Sequence, residues 1–143
     1  MRTLQGTRAY DHGMRGILVS LVTAAAIAPP VIHEPFKALP CPLHPDTTID
    51  VIGCQEHRVL RTDRAINVQV GTIFRLLRTE SRRSTFVAAE RSWLQYRRQS
   101  CAVEASKFAG GSEQPVALLS CTLQRNTSHL VDLTAMRKTL AQH

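Results

Sequence analysis

The chain has 143 residues, 43% hydrophobic and only 5% aromatic, with 18 Lys and Arg against 11 Asp and Glu for a net charge of +7. That length fits one domain, with a core drawn mainly from Leu, Val, Ile and Ala. No apolar run reaches the roughly 20 residues that span a bilayer as a helix, and the composition excludes a collagen-like or fully disordered chain.

Residues 1–28 read as an export signal. Arg2, Arg8 and Arg15 precede Ile17-Leu18-Val19-Ser20-Leu21-Val22-Thr23, followed by Ala24-Ala25-Ala26-Ile27-Ala28. A basic lead, an apolar centre and small residues at the end are the three parts of a secretory signal. Cleavage after Ala26 fits, with Ala24 at the third position back, and Met14 offers a second, shorter start. An uncleaved anchor is the rival, but the apolar stretch is short for a span. Cys41 lies well beyond that stretch and directly after Pro40, which does not fit a lipid-anchored cysteine. The expected location is therefore periplasmic or secreted, without a lipid anchor. Removing 1–28 takes away Arg2, Arg8, Arg15 and Asp11, so the +7 becomes +5.

Every proline but Pro115 falls in residues 29–45. Proline lacks an N–H and restricts the residue before it, so this segment is an extended arm. The helical domain then covers 46–143, with Cys41 tied to it.

Asp46 or Thr47 can cap a short first helix, with Asp50 three residues after Thr47 as in a capping box. Ile66, Val70, Ile73, Phe74 and Leu77 recur at helical spacing. The polar string Arg78 to Ser84 reads as a turn, with Ser84 capping the next helix. Phe86, Ala89, Trp93, Tyr96 and Ser100 then fall on one face. Gly110-Gly111 stops that helix, Ser112 can cap the last one, and Pro115 is tolerated in its first turn. Val116, Leu119, Leu123, Leu130, Leu133, Met136 and Leu140 carry its stripe, loosened at Asn126-Thr127-Ser128. No segment alternates over a strand's length. The predicted fold is all-α, a small disulfide-stapled bundle of three long helices plus a short first one.

Cys41, Cys54, Cys101 and Cys121 all follow the signal, and an even count in a small exported domain points to disulfides. Four cysteines allow three connectivities. Sequence does not choose strictly among them; nearest-neighbour pairing, Cys41–Cys54 and Cys101–Cys121, is the expectation. A zinc site is the rival, because Cys41-Pro-Leu-His44 and Cys54-Gln-Glu-His57 repeat one spacing.

Trp93 and Tyr96 share a helical face and are the bulkiest core candidates. Arg97 is expected to pair with Asp63, Glu90 or Glu104, and Asn67 to bond a neighbouring helix or loop. Gly110-Gly111-Ser112 reads as a turn with a cap rather than an anion site, since no Lys follows it. No nucleophile has a positioned base, and Glu90 and Glu104 lie roughly 20 Å apart along one helix. No catalytic residue, metal or cofactor is expected. Arg75, Arg78, Arg82, Arg83, Arg91, Arg97 and Arg98 form a basic stretch against only Glu80 and Glu90. Asn126-Thr127-Ser128 matches a glycosylation sequon.

Four ordered segments carry a family resemblance: Thr47-Thr48-Ile49-Asp50 before Cys54, Asp63-Arg64-Ala65-Ile66-Asn67, Trp93-Leu94-Gln95-Tyr96-Arg97 before Cys101, and Gly110-Gly111-Ser112 before Cys121. Over residues 41 to about 135 the chain resembles the LprI-like lysozyme inhibitor domain, a Cys-rich helical domain of exported bacterial proteins. The resemblance implies a non-enzymatic protein that protects the envelope by docking on a peptidoglycan-cleaving lysozyme. Common animal lysozymes are strongly basic, and like net charges disfavour docking. An inhibitor of this charge needs an acidic patch, and Asp46, Asp50 and Glu56 are the candidate partner-binding residues, with Glu34 and Asp63 beside them in the N-terminal half. The alternative is an envelope scaffold that binds anionic polymer or lipid through an Arg-rich face. Nucleic acid fits poorly with export, contact with a membrane surface is compatible with it, and sequence leaves the oligomeric state open.

Overall fold

Thr47 starts the first helix. Its hydroxyl accepts from the Asp50 N–H at 3.2 Å, and the Asp50 carboxylate accepts from the Thr47 N–H at 3.1 Å, a complete capping box. The computed structural model describes residues 26–142, so most of the export-signal reading lies outside the described residues. Within them, residues 26–46 contain no helix, and three helices follow: α1 over Thr48–Leu76, α2 over Glu80–Ala105 and α3 over Glu113–Ala141. A single 3-10 turn, Ser106–Phe108, follows α2, and there is no strand among the described residues.

The separate short first helix does not exist. Nothing between Asp50 and Asp63 breaks a helix except Gly53, and one glycine costs only about 1 kcal/mol against alanine. Gly53 instead marks a close approach: a Cβ there would fall on the Pro40 carbonyl oxygen and stand 3.0 Å from that of Leu39. The α1–α2 turn is also tighter than expected. Thr79, not Ser84, caps α2, accepting from the Arg82 N–H at 3.3 Å. Most of the polar string is thus the first turn of a helix, and Arg83 Nε donates back to the Leu77 carbonyl at 2.8 Å.

Gly110 takes a positive φ of 79° at the α2–α3 turn, a conformation open to glycine. Ser112 occupies the capping position of α3, but its backbone is already helical and its side chain makes no cap bond. The side chain of Gln114 accepts from the Gly110 N–H instead. Asn126-Thr127-Ser128 does not loosen α3, which is continuous: the Thr127 hydroxyl bonds back to the Leu123 carbonyl, and Asn126 points inward, fully buried.

Cross-links fix the register. Gln55 donates to Ser120 and Asn126 donates to Thr62, so α1 and α3 run parallel. Arg97 meets Asn126 and Cys101 meets Cys121, so α2 runs antiparallel to α3. Helix α3 packs against both partners, whereas the backbones of the consecutive α1 and α2 come close at few points. At the lower end α1 and α3 begin and α2 finishes; at the upper end the reverse holds.

The main apolar core occupies the upper half: Ile66, Val70, Ile73, Leu77, Phe86 and Leu133. The lower half has fewer large apolar groups and holds both disulfides. The buried face of α2 runs through Phe86, Glu90, Arg97, Cys101 and Ala105, two of them charged. Periodicity counted on apolar residues alone therefore misplaces it: Ala89 is exposed, and Tyr96 is 51% exposed rather than core.

Candidate functional site

The proline-rich arm runs back along α1 in the opposite direction. Asn67 accepts from the Ile32 N–H at 2.8 Å and donates to its carbonyl at 3.1 Å, so its side-chain amide satisfies both backbone groups of that residue. Further down, Glu56 accepts from the Leu39 N–H at 2.8 Å, and Cys41 is bonded to Cys54. Proline leaves this backbone fewer donors, and α1 side chains take up two of those that remain, at Ile32 and Leu39. Ile32 also packs against the core.

Midway, the arm reaches α2. Arg97 donates to Glu34 of the arm at 2.7 Å, to Asp63 of α1 at 2.7 Å and to Asn126 of α3 at 2.9 Å. One guanidinium thus ties together all three helices and the arm. Asn126 completes the cluster by donating to Asp63 and Thr62. Two carboxylates share one cation here, and Asp63 Oδ2 is buried without a partner. Burial pushes the Asp63 carboxyl above its ordinary value of 3.8; Arg97 pulls against this, and the Glu34 charge adds to the rise. Of the three acids expected for Arg97, only Asp63 pairs with it. Glu90 turns to His129 at 2.9 Å, and that imidazole stacks on half-buried Trp93 at 3.8 Å.

Both disulfides join sequence neighbours, Cys41–Cys54 and Cys101–Cys121. The zinc alternative thereby loses its two thiolates. A bridge over loops of this size contributes roughly 3 kcal/mol in the chain-entropy view. The sequon reading also fails, because buried Asn126 is committed to Arg97, Asp63 and Thr62.

The acidic candidates separate by role. Asp63 and Glu34 are turned inward on Arg97. Asp50 closes the capping box, where Thr47 holds its carboxyl below 3.8, and Glu56 secures the arm. Asp46 is exposed and shares a surface depression with Glu113 at the lower end. Glu104, in the last turn of α2, lies at the same end, where Lys107 is the only Lys or Arg of the α2–α3 connection. The upper end carries Arg75, Arg78, Arg82, Arg83, Arg137 and Lys138 against Glu80. Arg97 is buried, so the basic stretch from Arg75 to Arg98 is not one surface.

Glu34, Asn126 and His129 escaped the sequence reading of the cluster. Glu34 is distant along an arm without periodicity, and Asn126 sat in a tripeptide that looks like a helix breaker. An Asn on the apolar side of the α3 stripe, one helical turn from Leu130 and two from Leu133, was the available signal.

No helix among the described residues is long and apolar enough to cross a membrane. A family model described as lysozyme inhibitor LprI matches residues 41–133, about two thirds of the chain. No curated protein and no solved structure matches it.

Proposed function

The chain belongs to the LprI lysozyme inhibitor family, and from that premise we propose that it is an exported, non-enzymatic inhibitor that docks on a basic peptidoglycan-cleaving lysozyme through its lower end. The observation that carries the reading is the separation of charge along the bundle. Asp46, Asp50, Glu104 and Glu113 gather where α1 and α3 begin, with Glu56 just above, while Arg75, Arg78, Arg82, Arg83, Arg137 and Lys138 gather at the opposite end. A protein of net positive charge can then still present a negative face to a cationic partner, and approach end-on. Asp46 and Glu113 are exposed and free to make that contact; Asp50 and Glu56 contribute charge while also holding the cap and the arm.

Rigidity supports the same reading. Two disulfides fix the lower half and the Arg97 cluster the middle of the bundle, so little ordering entropy is lost on docking. The test is a lysis assay: purified exported protein is titrated against lysozyme clearing a peptidoglycan suspension. Protection that saturates with dose, and weakens when Asp46 and Glu113 are reversed to Lys, is the expected result.

A further inference from the structure

The outer face of α1 carries an unpaired line of arginines. Between His57 and Arg75 the exposed charged residues are Arg58, Arg61, Arg64 and Arg75, and none is acidic. Only His57, Ala65 and Val68 share the exposure. The three clustered arginines follow at about 4.5 Å along the axis, and the whole line spans about 25 Å. Like charges three residues apart repel on a helix, and no exposed acidic residue of this stretch of α1 offsets them. Among the described residues Arg58, Arg61 and Arg64 have no ion pair, and Arg75 bonds only to the Thr72 hydroxyl. The carboxylates of α1 point elsewhere: Asp63 inward, Asp50 to the cap, Glu56 to the arm.

We infer that this line is a docking surface for anionic phospholipid headgroups, with α1 lying lengthwise on a membrane surface. The shape selects the partner. The arginines stand on the convex outer face of a continuous, 29-residue helix, and such a ridge can meet a flat sheet of charge lengthwise. A free anion or polyanion strand is better held by a concave nest or groove. Guanidinium forks match phosphate oxygens two at a time. Near an anionic leaflet each basic residue is worth about a five-fold gain in partition, so the three clustered arginines together are worth on the order of a hundred-fold. Such docking would hold an exported chain at the envelope without a lipid anchor. The surface lies on the flank of the bundle, whereas the exposed acids Asp46 and Glu113 lie at its lower end, so lysozyme inhibition and membrane retention are separable.

The experiment is co-sedimentation of the exported protein with vesicles of phosphatidylglycerol and phosphatidylcholine, against pure phosphatidylcholine, at low and physiological salt. The expected result is binding to the anionic vesicles only, weakened by salt. Arg58→Gln, Arg61→Gln and Arg64→Gln together should lower partition on the order of a hundred-fold, and Arg61→Gln alone about five-fold. Arg91→Gln with Lys138→Gln, on the other helices, should change it far less. Circular dichroism melting confirms that each variant is folded, and inhibition of lysozyme in solution should survive the triple change. The inference is overturned if anionic vesicles are not bound, if the triple variant binds them as the parent does, or if short polyphosphate is bound while vesicles are not.

Discussion

Arg97 of α2 meets Asp63 of α1 at 2.7 Å, with side chains only 5% and 4% exposed. The backbones of the two helices come close at few points; Phe86 of α2 joins Ile66, Val70, Ile73 and Leu77 of α1 in the upper core, and this pair, together with Glu34 and Asn126, adds a buried polar tie between them. Buried ion pairs are expensive to desolvate and seldom outdo a well-packed apolar substitute. Their loss on one side only is much worse.

Arg97→Ala should therefore destabilise the protein by about 3–5 kcal/mol, because Asp63 would stay buried, and Glu34 partly buried, without a cation. Arg97→Lys should recover only part of this, since an ammonium cannot present the same planar fork to three acceptors. Urea unfolding at neutral pH checks both; a cost below about 1 kcal/mol for Arg97→Ala would show that the cluster relaxes into solvent.

Two carboxylates should give stability profiles of opposite slope. Asp50 has its folded value lowered, so its contribution is present above 3.8 and is lost as pH falls through the lowered value. Asp63 has its folded value raised, so its contribution is fully present below 3.8 and is lost as pH rises through the raised value. Melting temperatures from pH 2.5 to 7 for Asp50→Asn and Asp63→Asn, each set against the parent, should separate the two. The Asp63→Asn protein should lose the decline that begins above 3.8, and the Asp50→Asn protein the decline on the acid side. Parallel profiles for parent and both variants would contradict this.

Gly53→Ala should loosen the arm rather than the helix. Alanine is the better helix former, yet its Cβ has no room against Pro40 and Leu39. Amide exchange should rise at Leu39 and Ile32 while the middle of α1 stays protected. Non-reducing peptide maps of the parent should recover Cys41–Cys54 and Cys101–Cys121, and four free thiols in protein from its own compartment would contradict the pairing.

Trp93→Ala should cost less than the roughly 3–5 kcal/mol of a fully buried aromatic, because Trp93 is only half-buried against the core and stacks on His129. An unchanged melting temperature combined with lost partner binding would make Trp93 a contact residue instead of a packing one.

Much of the fold was legible because its signals are local. The Thr47–Asp50 box, the glycine pair at 110–111 and the stripe through Ile66, Val70 and Ile73 each act within a few residues. The start of α2 after Thr79 and the continuity of α1 through Gly53 were not, since a polar string reads equally as a turn or a first helical turn, and a glycine's reason can lie on another segment. The Arg97 cluster was half legible: Asp63 was among its expected partners, but Glu34 and Asn126 are joined to it only through tertiary structure. The same holds for charge. Counting along the chain suggested an Arg face from Arg75 to Arg98, whereas folding buries Arg97 and sorts the exposed charges by end and by face.

The proposal of an end-on lysozyme inhibitor is tested most directly by the rate at which a basic lysozyme clears a peptidoglycan suspension, titrated with the parent protein, Asp46→Lys with Glu113→Lys, and Arg82→Glu with Lys138→Glu. The expected result is dose-dependent protection by the parent, protection weakened about ten-fold or more by reversing the lower-end acids, and protection kept or improved by reversing the upper-end bases, with salt weakening the parent's action. No protection at any dose, or protection abolished by the Arg82 and Lys138 changes and untouched by those at Asp46 and Glu113, would contradict it.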